Sequence, residues 1–395
     1  MTVSNFSIFY QNTTKILCDS KNHFYIWGAG VAGKYLFRQL NEEPLSICGF
    51  IDSSPEKQKK TFCGLSVFAP DMIEWQTNTK VILASLDYSV GMEQYLQSIG
   101  KKENIDYFFS NIFLSLYKMN QSRQLYLHHV NVNITDQCTL RCRDCSLLIP
   151  YYKERKQYPL AEVLDGLNKL FEVVDYIQEV HLIGGEPLLY PELSELISEI
   201  GGKYRHKIGE FAIATNGTVL PSEEICQAAK KHNVFFTISD YSRSPAFSAP
   251  VKIPALLQHL ELNSVDYRLG NKSVWFDFNA VSQDSSFSIS ESSEMYREKF
   301  EKCFFRNRGL YLDKLYYCQH QYGVMRAEIN ADDPEAYLDL SAQSATDKIK
   351  LLQFELGFLP RGYLLQCRQC NGFERLNHTF IDAAAQLNPM ESNKE

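Results

Sequence analysis

Cys138, Cys142 and Cys145 follow the pattern Cys-x3-Cys-x2-Cys, and this triplet constrains the chain more than any other feature of its sequence. Three thiolates so close together can surround one metal cluster, but they leave one of its metals without a protein ligand. The run just before them, Asn131–Thr135, alternates polar and apolar residues as a half-buried strand does. The cysteines therefore fall on the loop at the carboxyl end of a strand, where α/β barrels carry their chemistry.

Length and composition narrow the class of protein. A chain of 395 residues predicts two or three domains, and an apolar content of 45% argues against disorder. The net charge of −7 and the lack of an extended basic run argue against a nucleic-acid partner. We expect a cytoplasmic protein without a membrane contact, because the sequence shows neither a signal-peptide pattern nor an apolar run of about 20 residues. Eleven cysteines then indicate metal or thiol chemistry rather than disulfides.

The N-terminal region has the pattern of a nucleotide-binding βαβ unit. A strand over Phe24–Trp27 runs into a Gly-x-Gly-x-x-Gly turn, and a second strand over Ser46–Ile51 ends at an acidic residue. Such glycines let the backbone approach a phosphate, while the acidic residue can hold a ribose hydroxyl. We predict a Rossmann-like domain over residues 20–115; the alternative is a domain of the same fold that serves assembly with an empty cleft. The residues predicted to bind the nucleotide are Gly28, Gly30, Gly33 and Asp52.

From Val130 onward the chain repeats strand, loop and helix, which predicts a parallel sheet in a partial α/β barrel over residues 128–285. Residues 111–128 are predicted to form a helical connection into it, and the tail from Asn377 is predicted to be helical. The predicted strands are Glu179–Ile183, Glu210–Thr215, Val234–Ser239 and Val265–Arg268, and the predicted helices lie around 160–176, 191–203, 221–231 and 251–262.

Two further runs accompany the triplet: Gly184-Gly185-Glu186-Pro187 after one predicted strand, and Ala214-Thr215-Asn216-Gly217 after the next. Together the three motifs resemble the radical S-adenosylmethionine superfamily over residues 128–270. The resemblance implies a partial (β/α)6 barrel in which the three cysteines hold a 4Fe–4S cluster. S-adenosylmethionine would chelate the fourth iron and yield a 5′-deoxyadenosyl radical. The residues implied to bind S-adenosylmethionine are Gly184, Gly185, Glu186, Pro187, Thr215, Asn216, Gly217, Ser239 and Asp240.

The triplet departs from the superfamily at one position. Members usually carry an aromatic residue just before the third cysteine, whereas this chain has Asp144, which leaves the contacts to adenine undefined. The alternative interpretation of the triplet is a fragment of a zinc site, which would need further ligands nearby.

A second cysteine group lies in the predicted third domain, over residues 295–375. Its spacing resembles the auxiliary-cluster domains of radical enzymes (the SPASM and shortened twitch types), which implies a second 4Fe–4S cluster with a redox role. A closed tetrahedral zinc site also takes four thiolates, so this alternative stays open. The four auxiliary ligands are Cys303, Cys318, Cys367 and Cys370. The remaining cysteines are predicted to be small core residues; they are Cys18, Cys48, Cys63 and Cys226.

The runs Gly49-Phe50-Ile51-Asp52 and Gly64-Leu65-Ser66-Val67 resemble the N-terminal domains of sugar O-acetyltransferases, which bind nucleotide-linked sugars. The resemblances together favour a radical enzyme of oxidoreductase or isomerase type. Its expected substrate is a small molecule, a nucleotide-linked sugar of polysaccharide biosynthesis, which it would epimerise or oxidise with electrons from a flavodoxin or ferredoxin. The alternatives are a peptide maturase and an iron–sulfur redox sensor or carrier. No residue can be chosen from sequence as the hydrogen donor.

Overall fold

The computed structural model describes residues 2–40, 45–84, 89–279, 293–303, 307–342, 347–373 and 375–387. The chain divides into two compact units: an N-terminal unit over residues 5–126, and a C-terminal unit over residues 127–395 together with residues 1–4. The Ser-rich stretch over residues 280–292, which precedes the predicted third domain, lies outside the described residues. Within the described ranges, no helix has both the length and the apolar character that a membrane span requires.

The N-terminal unit is a mostly parallel sheet with helices. Its strands lie in the order β3-β4-β2-β1-β5-β6, and β3 pairs with β4 in the antiparallel sense. The order β4-β2-β1-β5-β6 of the other five is that of doubly wound nucleotide-binding sheets. The elements are α1 (Val3–Leu17), β1 (His23–Trp27), α2 (Val31–Leu40), β2 (Ile47–Ile51), α3 (Pro55–Gln58), β3 (Thr61–Phe62), β4 (Leu65–Phe68), β5 (Thr79–Leu83), α4 (Ser89–Ser98), β6 (Tyr107–Phe109) and α5 (Ser110–Ser122).

Helix α5 differs from the connection predicted over residues 111–128. Every residue of this helix from Ser110 to Tyr117 is buried, and so is Met119. A helix that is buried on all its sides belongs inside a core rather than in a linker. It therefore forms part of the N-terminal unit, and the chain turns into strand four residues after the helix ends.

The C-terminal unit alternates strands and helices and then becomes irregular. Its helices are α6 (Leu160–Val173), α7 (Leu193–Tyr204), α8 (Glu223–Lys231), α9 (Ile253–Leu262), α10 (Ser293–Lys302), α11 (Gln319–Arg326) and α12 (Lys348–Glu355). Its strands are β7 (Tyr126–Thr135), β8 (Tyr176–Gly184), β9 (Ile208–Thr215), β10 (Val234–Asp240), β11 (Tyr267–Asn271), β12 (Val274–Phe276), β13 (Arg308–Tyr311), β14 (Lys314–Tyr316), β15 (Tyr337–Asp339) and β16 (Phe380–Asp382).

One sheet runs through this unit in the order β11-β10-β9-β8-β7-β13-β14-β15. Strands β8 to β11 pair in parallel along the sheet, and β13 pairs in parallel with β7 on its other side. Strands β13, β14 and β15 continue as an antiparallel meander. The strand beside β7 thus comes from residues 308–311, which we predicted to belong to the cluster domain. It covers the edge that β7 would otherwise expose.

The sheet has one apolar and one polar face. In the pairing register, Val180, Phe211 and Val234 lie side by side on the buried apolar face, where Leu182, Ile213 and Phe236 follow. The opposite face, which we call the polar face, carries hydrogen-bonding side chains on all five neighbouring strands. Its polar residues include His129, Asn131, Asn133, Glu179, His181, Glu210, Thr237, Ser239 and Arg268.

The prediction of a helical tail after Asn377 is wrong. Residues Phe380–Asp382 form strand β16, which pairs antiparallel with β12 in a separate two-stranded sheet. Residues 383–387 then run beside the cysteine loop, where Gln386 bridges to Cys142 in β fashion. A strand partner distant in sequence decides this conformation, and local residue pattern cannot show it.

Candidate active site

Three loops meet at the carboxyl ends of β7, β8 and β9. The backbone N–H of Gly185 donates to the carbonyl of Thr135 at 2.8 Å, and that of Glu186 donates to the carbonyl of Gln137 at 2.7 Å. The N–H of Asn216 donates to a carboxylate oxygen of Glu186 at 2.8 Å. The structure therefore brings the cysteine loop together with the two runs predicted to bind S-adenosylmethionine.

The three thiols of the triplet share one environment. Cys138 and Cys145 pack against a small buried cluster that contains Cys142, Leu140 and Ala384. Burial and, to a smaller extent, the neighbouring thiols raise the pKa of both Cys138 and Cys142 to about 12. Thiols that stand close in an apolar setting bind their protons firmly, and a cation placed among them releases those protons. This donor set fits a metal cluster with three protein ligands.

Glu186 is fully buried and joins two of the loops. One carboxylate oxygen accepts the N–H of Leu188 at 3.1 Å, and the other accepts the N–H of Asn216. Burial raises the pKa of Glu186 to about 7, although these two bonds act in the opposite direction. Each oxygen keeps a lone pair, so the group can also accept a bond from an ammonium group.

The two glycines before Glu186 allow the loops to touch. A Cβ atom on Gly184 would lie 2.2 Å from the carbonyl oxygen of Thr135, and one on Gly185 would lie 2.1 Å from that of Gln137. Only residues without a side chain fit at this distance, which explains the pair at the end of β8.

Replacing Gly185 with alanine is expected to separate the cysteine loop from β8, because the clashing atom belongs to the backbone. We expect a loss of about 1–3 kcal/mol in the free energy of unfolding, as in other overpacked sites, together with weaker binding of S-adenosylmethionine. Denaturant titration and equilibrium binding measure the two effects. Gly202→Ala is the matched control, since a Cβ there meets no atom within 4 Å and helix α7 favours alanine. Equal behaviour of the two variants would contradict this account of the loop contact.

The loop after β9 also contacts the triplet. The side-chain amide of Asn216 donates to the hydroxyl of Thr139 at 3.1 Å and to the sulfur of Cys138 at 3.7 Å. The Thr215 hydroxyl accepts the N–H of Gly217 at 3.2 Å, which shapes the turn. An amide that donates to a cluster thiolate is one of the groups that set its reduction potential.

The remaining residues predicted to contact S-adenosylmethionine lie at two strand ends. Pro187 is buried and opens a short turn after β8. Asp240 ends β10, and its carboxylate accepts the N–H of Ser242 at 2.9 Å; Ser239 precedes it on the polar face. Their contact with a cofactor stays a prediction.

Tyr241 is a neighbour of the triplet that sequence reasoning missed. Its ring packs on the cluster of Cys142 and lies 5.4 Å from the ring of Trp275. Burial raises the pKa of Tyr241, and the three thiols of the triplet raise it further. Asp144, which stands where an aromatic residue is usual before the third cysteine, forms an ion pair with Arg143 at 2.9 Å. The position of Tyr241, directly after a parallel strand, is the signal that could have identified it.

Gln386 is a second residue that sequence reasoning missed. Its amide nitrogen donates to the sulfur of Cys142 at 3.4 Å, and its amide oxygen accepts the N–H of Arg141 at 2.8 Å. The N–H of Arg143 donates to the carbonyl of Ala385 at 2.7 Å. Residues 385 and 386 therefore cover the cysteine loop, although Arg141 and Gln386 are 245 residues apart in the sequence.

The four cysteines of the second group line one cavity. Burial and, to a smaller extent, the neighbouring cysteines raise the pKa of Cys318 to about 11 and that of Cys370 to about 12. Four thiols around one space fit a metal centre with complete protein ligation, either iron–sulfur or zinc. The residues lining the cavity include Cys303, Cys318, Cys367, Cys370, Phe278, Phe300, Tyr317, His320 and Leu364.

The other cysteines behave differently from one another. Cys226 is buried on α8, as predicted, but Cys18 is exposed and Cys48 and Cys63 are only partly buried. The core prediction is therefore wrong for Cys18, which lies one residue beyond α1 and accepts from the amides of Asn120 and Gln121.

The glycine turn of the N-terminal unit lies at the end of β1. Gly33 allows α2 to begin close to the strand, because a Cβ there would lie 1.9 Å from the carbonyl oxygen of Gly28. Asp52 reaches this turn and accepts the N–H of Ala29 at 2.9 Å and the ammonium of Lys57 at 2.8 Å. Burial acts to raise the pKa of Asp52, but the bonds from Lys57, Ser54 and Ala29 outweigh it and lower the value.

The structure thus brings Asp52 to the turn that holds Gly28, Gly30 and Gly33, but its carboxylate is bound to donors of the protein itself. Space remains at Gly30, where a Cβ would meet no atom within 4 Å. A nucleotide at this turn stays a prediction.

Comparison with known proteins points to the same segment. Residues 132–241 match the model of the Radical SAM superfamily. A GTP 3′,8-cyclase of Synechocystis sp. is 35% identical over 98 residues, which are 24% of this chain and 28% of that protein. A GTP 3′,8-cyclase of Aquifex aeolicus is 32% identical over 122 residues, 29% of this chain and 36% of that protein. This chain therefore matches only about a third of the length of these relatives.

Two solved structures are similar to this chain, with TM-scores below 0.5. BtrN in complex with AdoMet and 2-DOIA has a TM-score of 0.43 at 17% identity, covering 63% of this chain and 94% of that one. Native anSMEcpe with bound AdoMet and a Kp18Cys peptide has a TM-score of 0.41 at 13% identity, covering 68% and 94%. At these TM-scores the likeness carries no information on function.

The superfamily match includes all three cysteines of the triplet, both following runs and Tyr241. The geometry of the same residues fits the cofactors of that superfamily. Residues 132–241 are therefore similar to the Radical SAM superfamily, whose cofactors are a 4Fe–4S cluster and S-adenosylmethionine.

Proposed function

We propose that the C-terminal unit is a radical enzyme that abstracts hydrogen from a small polar substrate, a nucleotide-linked sugar. The observation that carries this proposal is the meeting of three loops at one end of the sheet. There the triplet lies beside the buried carboxylate of Glu186 and the amide of Asn216. A redox carrier or sensor has no need of a buried carboxylate and an amide beside its cysteines, which argues for catalysis.

Within this proposal, the cofactors would, when bound, supply the radical chemistry that removes a hydrogen atom from the substrate. The protein itself binds and orients. Cys138, Cys142 and Cys145 hold the cluster, and Glu186 offers its free lone pairs to the ammonium group of the methionine part. Tyr241 provides an aromatic surface beside the thiols. The buried residues around the triplet help to keep water away from a reactive species.

The polar face supports a substrate rich in hydroxyl groups. Asn133 is 1% exposed, yet neither atom of its side-chain amide has a hydrogen-bond partner among the residues that the structure describes. Asn131, Thr237 and Ser239 add further donors and acceptors on the same face. A buried amide without a partner is costly unless a ligand satisfies it, and sugar hydroxyls both donate and accept.

The direct test measures 5′-deoxyadenosine formed by the reduced protein across a panel of nucleotide sugars, with the product mass recorded. We expect at least one of them to raise the rate. An unchanged product mass would indicate epimerisation, and a loss of two hydrogens would indicate oxidation. If no nucleotide sugar raises the rate, the sugar proposal is wrong. A rise with a precursor peptide instead would favour the peptide maturase.

We further propose that Cys303, Cys318, Cys367 and Cys370 hold a second 4Fe–4S cluster with a redox role. His320 lines their cavity, and a ring nitrogen of this histidine lies 3.1 Å from the carbonyl of Ser146, next to Cys145 of the triplet. The polypeptide therefore links the two cysteine groups directly. Complete ligation by protein argues against substrate binding at the second centre.

The metal content distinguishes the two kinds of metal centre that four thiolates can hold, a 4Fe–4S cluster and a zinc site. Protein reconstituted without oxygen is expected to hold about eight irons if both sites take 4Fe–4S clusters. About four irons with one zinc bound by sulfur ligands would show that the auxiliary site is a zinc site. Changing Cys367 or Cys370 should spare uncoupled cleavage of S-adenosylmethionine and impair turnover. Loss of cleavage as well would assign the second centre a structural role.

A further inference from the structure

A group of metal-binding side chains lies on the polar face, on neighbouring strands and apart from both cysteine groups. His129 is on β7, while Glu179 and His181 are two residues apart on β8 and so point to the same side of the sheet. Their ligand atoms all lie within 4.8 Å of one another. Six residues separate His129 from Thr135 at the end of β7, so at about 3.3 Å per residue the group lies about 20 Å along the strand from the cysteine loop.

The hydrogen bonds of His129 leave one ring nitrogen directed at the carboxylate. Its Nε2 lies 3.0 Å from the side-chain oxygen of Asn131, and its Nδ1 lies 3.1 Å from Oε2 of Glu179. The bond to Asn131 is satisfied by a proton on Nε2. In the neutral ring the lone pair of Nδ1 then faces the anionic oxygen, and a cation between the two atoms is the arrangement that stabilises them. A metal-bound histidine commonly donates its other N–H to an oxygen in this way.

His181 completes the group. Its Nε2 lies 3.7 Å from the same oxygen of Glu179 and has no hydrogen-bond partner within the described part of the chain. A metal ion at this position would give the buried nitrogen the partner that it lacks.

The neighbouring charges do not compete for these ligands. Glu210 lies beside Glu179 in the register of β8 and β9, but Arg268 binds both of its oxygens, at 2.7 and 2.8 Å. This pair leaves Glu179 to the two histidines. The guanidinium of Arg268 donates these hydrogen bonds to Glu210 rather than to the ligand group.

We propose that His129, Glu179 and His181 bind a divalent transition-metal ion, with Asn131 orienting His129. Two imidazoles and a carboxylate are the donors that zinc and iron(II) take in sites with an open coordination position. The site is independent of the proposed radical chemistry. Its open position lies on the polar face, where an oxygen ligand of a bound molecule can reach the metal.

Zinc is the probe for this site, and protein loaded with its iron–sulfur clusters is the sample, because the cluster cysteines are then occupied. After zinc is added and the excess removed, zinc content and the zinc K-edge absorption spectrum are measured. We expect about one zinc per chain with nitrogen and oxygen ligands at about 2.0–2.1 Å and no sulfur shell near 2.3 Å. Thiolate-bound zinc at a cysteine site would show that sulfur shell.

The variants His181→Gln and Glu179→Gln should each weaken zinc binding at least tenfold, as the loss of a ligand does. His259→Gln, which changes a histidine on helix α9, is the matched control and should bind zinc as the parent does. The wild-type spectrum decides the matter even if a ligand variant fails to fold. Absence of nitrogen- and oxygen-bound zinc in the wild type would overturn the proposal, as would its full retention in a folded ligand variant.

Discussion

Replacing Cys142 with alanine is expected to abolish the cleavage of S-adenosylmethionine by the reduced protein. Cys142 is the buried member of the triplet, and its sulfur accepts from the amide of Gln386 within a packed cluster. With two thiolates left, the 4Fe–4S cluster would lose a protein ligand and could not present one open iron to the cofactor. The measurement is 5′-deoxyadenosine formed under dithionite, without substrate.

Cys226→Ala is the matched control for this variant. Cys226 is also buried, but it lies on helix α8 and belongs to neither cysteine group. Its loss should leave cleavage unchanged and cost only the packing of a small side chain. Cleavage retained in Cys142→Ala at the parental rate would show that the triplet does not hold the reactive cluster.

The second large effect is expected from Arg308, whose side chain is fully buried beside β7. Its guanidinium pairs with the carboxylate of Glu355 at 2.7 Å, donates to the carbonyl of Tyr317 at 2.9 Å and lies 3.8 Å from the ring centroid of Tyr317. Arg308→Leu would leave the carboxylate of Glu355 buried without its guanidinium partner. We expect a loss of about 3–5 kcal/mol in the free energy of unfolding, measured as a lower midpoint for the C-terminal unit in denaturant.

A more exposed ion pair on the same sheet gives the comparison for Arg308. Arg268 also binds a carboxylate through two nitrogens, but its side chain is 58% exposed. Arg268→Leu should therefore cost about 1 kcal/mol or less. Adding Glu355→Leu to Arg308→Leu should recover part of the loss, because no buried charge then stays unpaired. Similar midpoints for Arg308→Leu and Arg268→Leu would contradict this explanation.

The core of the site could be predicted because local pattern determines it. Strands β7, β8 and β9 are buried runs followed by glycine-containing loops, and parallel strands bring such loops to one edge. This is why Cys138, Glu186 and Asn216 meet as their motifs indicate. The glycine turn after β1 follows from the same logic, since the helix must begin close to the strand.

The rest of the site depends on contacts between distant segments. Gln386 reaches Cys142 because β16 pairs with β12, and neither short strand has a pattern of its own that predicts the partner. Likewise, β13 joins β7 because a buried edge needs a neighbour, not because its four residues indicate a parallel strand. For helix α5, the sequence predicts a helical connection but not its burial. A run with several apolar residues does not show which core will bury it.

The same limit applies to the histidines of the polar face. His129 and His181 lie 52 positions apart and belong to no motif, so only the register of neighbouring strands brings them together. Their rings lie 4.5 Å apart between centroids. A strand that alternates apolar with polar residues indicates one polar face, but it cannot show which polar residues of two strands meet.

The most direct test of the radical chemistry is electron paramagnetic resonance of the reduced triplet cluster with and without S-adenosylmethionine. Changing Cys367 and Cys370 to serine removes the second centre, so the signal reports only the cluster held by the triplet. Because one iron of that cluster lacks a protein ligand, adding S-adenosylmethionine should change the g-values of the signal. An identical spectrum in both samples, with the cluster intact, would contradict the assignment of this site.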